Sequence, residues 1–197
     1  FIIKLIARIV EMQFTFKNDN YVQIINEKNI DRLSQLIDKE KIIYGGEIDR
    51  DQRYFSPTVM NDVLFTDKIM KDEIFGPILP IIPYSNLEDA MREIKQLPKP
   101  LSCYLFTKDA ELKKRIIREL SFGGGAVNDT IMHITNSKLP FGGVGSSGIG
   151  NYHGQAGFDT FTHYKSILDK GTWFDPNFKY PPNTDKKIKW IRWLLGI

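Results

Sequence analysis

The chain has 197 residues, 42% of them hydrophobic and 26% charged, which is an ordinary globular composition that excludes a disordered tail or a collagen-like polymer. One cysteine, Cys103, excludes a disulfide framework and a multi-cysteine metal centre, and fits a reducing compartment. The net charge of +3 is too mild to indicate nucleic acid, although from Lys170 onward six basic residues face only two acidic ones.

In chain order, Ile2, Leu5, Ile6, Ile9 and Val10 recur near helical spacing with Lys4, Arg8 and Glu11 between them. This predicts an amphipathic helix whose partner surface lies partly outside the chain. With no initiator Met before Phe1, the expectation is a fragment of a longer protein. Helical spacing returns at Ile30, Leu33, Leu36 and Ile37, with Asn29 as the expected N-cap. Ile42-Ile43-Tyr44 reads as a short strand stopped by Gly45-Gly46. Tyr54 to Met60 has strand character, and Pro57 predicts an edge or a bulge there.

Ile78 to Tyr84 is an apolar run of strand length. Leu87 to Leu97 follows with a helical face of Leu87, Ala90, Met91 and Ile94, and Leu101 to Phe106 is a second apolar run. Asp109 is placed to cap a helix from Ala110 to Leu120, and Gly125-Ala126-Val127 forms a third short strand. Strand–helix–strand–helix–strand with short connections predicts an α/β fold with a parallel sheet and right-handed crossovers. Ligands of such sheets gather beyond the carboxyl ends of the strands, here Tyr84-Ser85, Thr107 and Asn128-Asp129.

Ten of the fifteen glycines fall between Ser121 and Gly157, which predicts irregular loops with close backbone approaches. Thr160 to Leu168 then reads as a strand and Lys186 to Ile197 as a final short helix.

Single motifs are weak. Gly143-Val144-Gly145-Ser146-Ser147-Gly148 matches a dinucleotide fingerprint in letters, but no strand leads into it. His133, His153 and His163 lack zinc-ligand spacing, so no metal site is expected. Cys103 sits in an apolar strand and reads as a small core residue. Glu73-Ile74-Phe75-Gly76-Pro77 is more suggestive. A carboxylate on a fixed turn accepts hydrogen bonds from a vicinal diol, and a neighbouring ring packs on a flat ligand, although a solvated glutamate beside a core phenylalanine is the simpler reading of these residues alone.

Taken together and in order, the motifs carry more. Glu73-Ile74-Phe75-Gly76-Pro77, Ser121-Phe122-Gly123-Gly124-Gly125 with Asn128-Asp129, Leu139-Pro140-Phe141-Gly142-Gly143-Val144-Gly145 and Tyr152-His153-Gly154 resemble the aldehyde dehydrogenase superfamily. His133-Ile134-Thr135 and Tyr180-Pro181-Pro182 resemble its class 3, fatty-aldehyde branch. The resemblance covers essentially the whole chain, but only the C-terminal part of the family pattern.

The resemblance implies an NAD- or NADP-dependent oxidation of medium- or long-chain or aromatic aldehydes to acids. In that chemistry a cysteine thiolate attacks the aldehyde carbonyl, hydride passes to the nicotinamide, and a glutamate base activates water against the thioester. Neither the nucleophilic cysteine nor that glutamate has a counterpart in this chain, so no catalytic residue is assigned, and the chain alone is expected to be inactive. By analogy Glu73 and Phe75 bind the cofactor, the former at the nicotinamide ribose. Ile131, Ile134, Thr135, Phe141 and His153 correspond to substrate-tunnel positions. The implied organisation is a partial catalytic domain over 1–157, an oligomerisation strand and extended segment over 158–185 serving a homodimer, and a basic amphipathic tail over 186–197. That tail, with Trp among Lys and Arg, suits peripheral membrane contact by an otherwise cytoplasmic protein. The rival readings are a catalytically dead assembly or binding module of the same fold, and an unrelated doubly wound nucleotide-binding domain.

Overall fold

The computed structural model describes residues 21–196, together with Ile6 and Arg8. The expected opening helix therefore lies outside the described residues except at those two positions. The chain divides into two compact units, Phe1–Leu97 and Pro98–Ile197.

In the first unit helix α1 spans Glu27–Ser34. Its N-cap is Asn26, three residues before the expected Asn29. The Asn26 carboxamide oxygen accepts from the backbone N–H of Asn29 at 2.9 Å, a cap worth about 1 kcal/mol. The helix ends before Leu36 and Ile37, which nonetheless pack against the core that Ile30 and Leu33 enter. Strands β1 (Ile42–Tyr44), β2 (Ile48–Asp49), β3 (Tyr54–Phe55), β4 (Thr58–Met60) and β5 (Ile78–Pro80) follow.

The expectation at Pro57 is only half met. The proline does divide the run, leaving β3 paired with β2. Yet β4 is the central strand of its sheet, antiparallel to β1 and parallel to β5, because Pro57 stands just outside the ladder and removes no donor from it. Phe55, Met60, Val63, Ile69 and Ile78 complete the core. Helix α2 (Leu87–Gln96) is capped by Asn86, and its Met91 is buried.

In the second unit β6 (Ser102–Leu105) runs parallel to β7 (Gly124–Val127), joined by α3 (Ala110–Glu119). Asp109 caps α3 as expected, accepting from the N–H groups of Glu111 and Leu112 at 2.9 and 3.0 Å. Among the described residues the parallel ladders are thus two, β4–β5 in one unit and β6–β7 in the other. The α/β class with parallel pairing holds.

Successive residues of β6 point to opposite faces. Cys103 and Leu105 face α3, sharing a hollow of about 220 Å³ with Ile116 and Phe122. Tyr104 faces the other way, edge-on to the His133 ring with centroids 5.6 Å apart. His133 belongs to the short helix α4 (Met132–Thr135), so the β6–β7 pair has a helix on each side.

Two expectations fail downstream. Gly154–Thr160 forms a helix, α5, inside the stretch expected to be irregular. Side-chain bonds hold it: Gln155 donates to Asp159 at 2.7 Å, and the Thr160 hydroxyl shares its one proton between the Ala156 and Asn151 carbonyl oxygens, each 2.8 Å away. The strand expected over Thr160 to Leu168 has no ladder partner among the described residues. Thr160 closes α5, and residues 162–168 run without regular structure. Helix α6 (Asp185–Leu195) ends the described chain, opened by Thr184 and closed by Gly196 in the left-handed conformation. Among the described residues no helix is long and apolar enough to cross a membrane.

Candidate functional site

The turn at 73–77 belongs to the first unit. Ile74, between Glu73 and Phe75, packs against the core, which leaves those two residues on the outside. Phe75 is 75% exposed and has φ of +44°. A phenylalanine in left-handed backbone is strained, and such a residue persists only where its surroundings fix it. Here they do. Arg32 on α1 donates from Nη2 to the Ile74 carbonyl at 2.7 Å. The Thr58 N–H donates to the Pro77 carbonyl at 2.8 Å, tying the turn to β4. Gly76 lies so close to α1 that an added Cβ would meet a Leu33 methyl at 2.4 Å.

Glu73 makes no hydrogen bond or ion pair among the described residues, so its carboxylate keeps its full acceptor capacity beside an exposed ring. An unengaged acceptor beside an exposed ring is chemically suited to a vicinal diol next to a flat ring.

The glycine-rich stretches form a second constellation, within the other unit. Phe141 and Tyr152 exchange backbone hydrogen bonds of 3.0 and 2.9 Å, making an isolated antiparallel bridge. The Gly142 backbone is so close to the next segment that a Cβ would fall 2.2 Å from the Gly150 carbonyl oxygen. Only glycine allows that approach. The Phe141 ring is 5.4 Å from Tyr152, 5.8 Å from His133 and 6.2 Å from His153. His153 Nδ1 lies 3.2 Å from the Leu139 carbonyl oxygen, which can only accept, so Nδ1 is the donor of that bond.

The expected tunnel residues thus come together in part. Phe141 and His153 are neighbours. Ile131, Ile134 and Thr135 sit at or on α4, which His133 anchors against Phe141 and Tyr104. Ile131 has φ of +61° at the start of α4 and is exposed. An open hollow of about 340 Å³ lies behind the glycine loop, lined by Leu101, Tyr152, Phe161 and glycine backbone. Of the five expected residues only Phe141 reaches it.

Sequence reading missed Arg32, which has no local signal because its acceptor is 42 residues away. It also missed His133 as the ring that joins Tyr104 to Phe141, which only its place beside Ile134-Thr135 hinted at.

Cys103 faces α3, on the opposite side of the sheet from Tyr104 and the aromatic cluster. Burial raises its thiol pKa, which disfavours the thiolate. Among the described residues no cluster of three His, Cys, Asp or Glu is arranged to hold a metal ion.

A strand–helix–strand α/β unit followed by glycine loops with an aromatic wall, together with an exposed Glu–Phe turn, is the combination the motifs anticipated. The aldehyde dehydrogenase family model matches residues 1–167, and the chain belongs to that family. The 4,4'-diaponeurosporen-aldehyde dehydrogenase of Staphylococcus aureus is 49% identical over 178 residues, covering 89% of this chain and 39% of that protein. Mus musculus aldehyde dehydrogenase family 3 member A2 is 45% identical over 178 residues, covering 89% and 37%. The dimeric NADP-preferring aldehyde dehydrogenase of Rattus norvegicus is 43% identical over 169 residues, covering 85% and 37%. Among solved structures, substrate-bound S. aureus AldH superposes with a TM-score of 0.79 at 49% identity over 89% of this chain and 39% of that one. An NAD+ complex of a Mycobacterium tuberculosis aldehyde dehydrogenase gives 0.70 at 29% identity over 80% and 34%. The class 3 resemblance holds, and NAD or NADP is the family's coenzyme. The chain spans about two fifths of the length of these relatives.

Proposed function

We propose that these residues are the C-terminal part of an NAD(P)-dependent aldehyde dehydrogenase oxidising medium- or long-chain or aromatic aldehydes, and that they are inactive without the polypeptide carrying the nucleophilic cysteine and the nucleotide-binding half. The observation that carries the reading is the Glu73–Phe75 turn, a strained backbone pinned by Arg32 so that an unengaged carboxylate and an exposed ring stand side by side. Glu73 accepts the nicotinamide ribose hydroxyls and Phe75 packs beside the nicotinamide. The bound coenzyme supplies the hydride acceptor. Holding that acceptor in line with the reacting carbon is a positioning contribution, worth several kcal/mol at its upper end.

Ile131, Ile134, Thr135, Phe141 and His153 form the wall along which the aldehyde lies. Their mostly apolar character suits an alkyl or aryl chain. In this reading residues 1–157 complete the catalytic domain, 158–185 serve a homodimer, and 186–197 hold the cytoplasmic enzyme peripherally at a membrane. The exposed side chains of Phe161, Tyr164, Ile167 and Leu168 support the second of these, because an extended segment with apolar side chains is suited to adding to a neighbour's sheet edge.

The test is aldehyde-dependent reduction of NAD+ and NADP+ by the complete gene product, run with short, long and aromatic aldehydes. Turnover that rises with chain length supports the reading. No reduction with any aldehyde supports the rival assembly module.

A further inference from the structure

All three tryptophans of the chain lie from Trp173 onward. Tryptophan is ordinarily well buried, yet Trp173, Trp190 and Trp193 are 89, 56 and 74% exposed. On α6, Trp190, Trp193 and Leu194 are three and four residues apart and share one side of the helix, the two indoles edge-on with centroids 5.6 Å apart. Lys186 and Lys189 stand one turn before Trp190 and Trp193, on that same side. Two acidic residues stand nearby: Asp175 binds Lys170, Lys179 and Tyr180, and Asp185 opens α6 at the positive end of the helix dipole. Lys186 and Lys189 have no ion-pair partner among the described residues.

The composition of this face selects its partner. Protein–protein interfaces are enriched in tryptophan but depleted of lysine at their centres. Tryptophan interleaved with lysine is instead the pattern of a helix lying in a lipid headgroup region, where indoles enter the boundary and ammonium groups meet anionic headgroups. At eleven residues α6 is too short to span a bilayer and long enough to lie on one.

We propose that α6 is an anionic-lipid-binding helix that seats Trp190, Trp193 and Leu194 in the headgroup boundary and pairs Lys186 and Lys189 with acidic headgroups. This deepens the peripheral membrane contact proposed above and rests on it, but not on the aldehyde activity.

The test is co-sedimentation of the full chain with vesicles of phosphatidylcholine alone or mixed with phosphatidylserine, with tryptophan emission as a second readout. The expected result is binding to the mixed vesicles with a blue shift in emission, weakened by salt. K186Q/K189Q should lower that partition roughly tenfold or more. W190S/W193S should remove both binding and the α6 share of the blue shift, with helical signal and oligomeric mass unchanged. Equal binding to the two vesicle types overturns the headgroup assignment and leaves peripheral contact standing. No binding to either overturns both. Variants that bind as wild type does but change oligomeric mass overturn the proposal in favour of a contact between copies of this chain.

Discussion

Arg32 on α1 reaches the carbonyl oxygen of Ile74 at 2.7 Å, and in doing so it fixes the residue between Glu73 and Phe75. The same Nη2 lies 3.5 Å from the Phe75 carbonyl oxygen, so one guanidinium holds the backbone from which both side chains project. R32M keeps the length of the side chain and removes the donor. Such a charge-assisted bond is worth about 1.5–3 kcal/mol where it is well shielded, and less in this half-exposed position. The expected outcome is a loss of about 1 kcal/mol of stability in thermal unfolding. In the complete enzyme the KM for NAD(P)+ should rise severalfold and the aldehyde KM should stay put. An unchanged coenzyme KM would assign Arg32 a structural role alone.

Glu73 itself should show in turnover. E73A in the complete enzyme removes the proposed ribose acceptor and should slow kcat by roughly ten- to a hundredfold while weakening aldehyde binding little. E73Q retains one carbonyl acceptor and should fall between E73A and wild type. Steady-state kinetics with coenzyme and aldehyde varied separately decide the matter. A normal turnover number in E73A would remove this carboxylate from the mechanism.

What could be read from the sequence was what local chemistry decides. Asp109 caps α3 through bonds to residues two and three positions on, so its role is visible in a short window. The strand β1 and its glycine stop are equally local. Pro57 shows the limit. The residue forbids a ladder bond at its own position, but whether the strand after it is central or at an edge depends on β1 and β5, which a local reading cannot place. Gly154–Thr160 has poor intrinsic helix propensity, and side-chain bonds to flanking residues, from Thr160 to Asn151 and from Tyr164 to Asp159, prevail over it. The segment after it has strand-like composition, but a strand requires a partner ladder. At the site, the motif order gave the Glu73–Phe75 pair and the Phe141–His153 neighbourhood, whereas Arg32 and the ring contacts of His133 arise only from tertiary packing.

The side of the sheet that Cys103 occupies makes a further outcome specific. The thiol shares its hollow with Ile116 and Phe122, and burial raises its pKa. C103S in the complete enzyme should therefore leave kcat within about twofold, because the thiol lies on the side of the sheet away from the aromatic wall. The wild-type thiol in the folded protein should react with iodoacetamide more slowly than in the denatured chain. Loss of activity on alkylation of Cys103 alone, followed by mass spectrometry, would reverse the assignment.

The acid stability of the first unit should depend on Lys41 and Asp67. Their ion pair joins the residue before β1 to the turn that follows Val63. The Lys41 ammonium first, and then the Leu64 N–H at 2.9 Å, hold the Asp67 carboxyl below its usual range. A carboxyl with a depressed folded pKa stabilises fully above its unfolded value of about 3.9, and that contribution is lost as the pH falls through this value toward the folded one. K41M removes the principal cause of the depression. The variant should be less stable than wild type at pH 7, and the gap should begin to narrow as urea midpoints are followed below about pH 4 and close only below the depressed folded pKa, where Asp67 is protonated in both proteins. A gap that stays constant from pH 7 to pH 3 would show that Lys41 acts through the packing of its methylene stem and not through its charge.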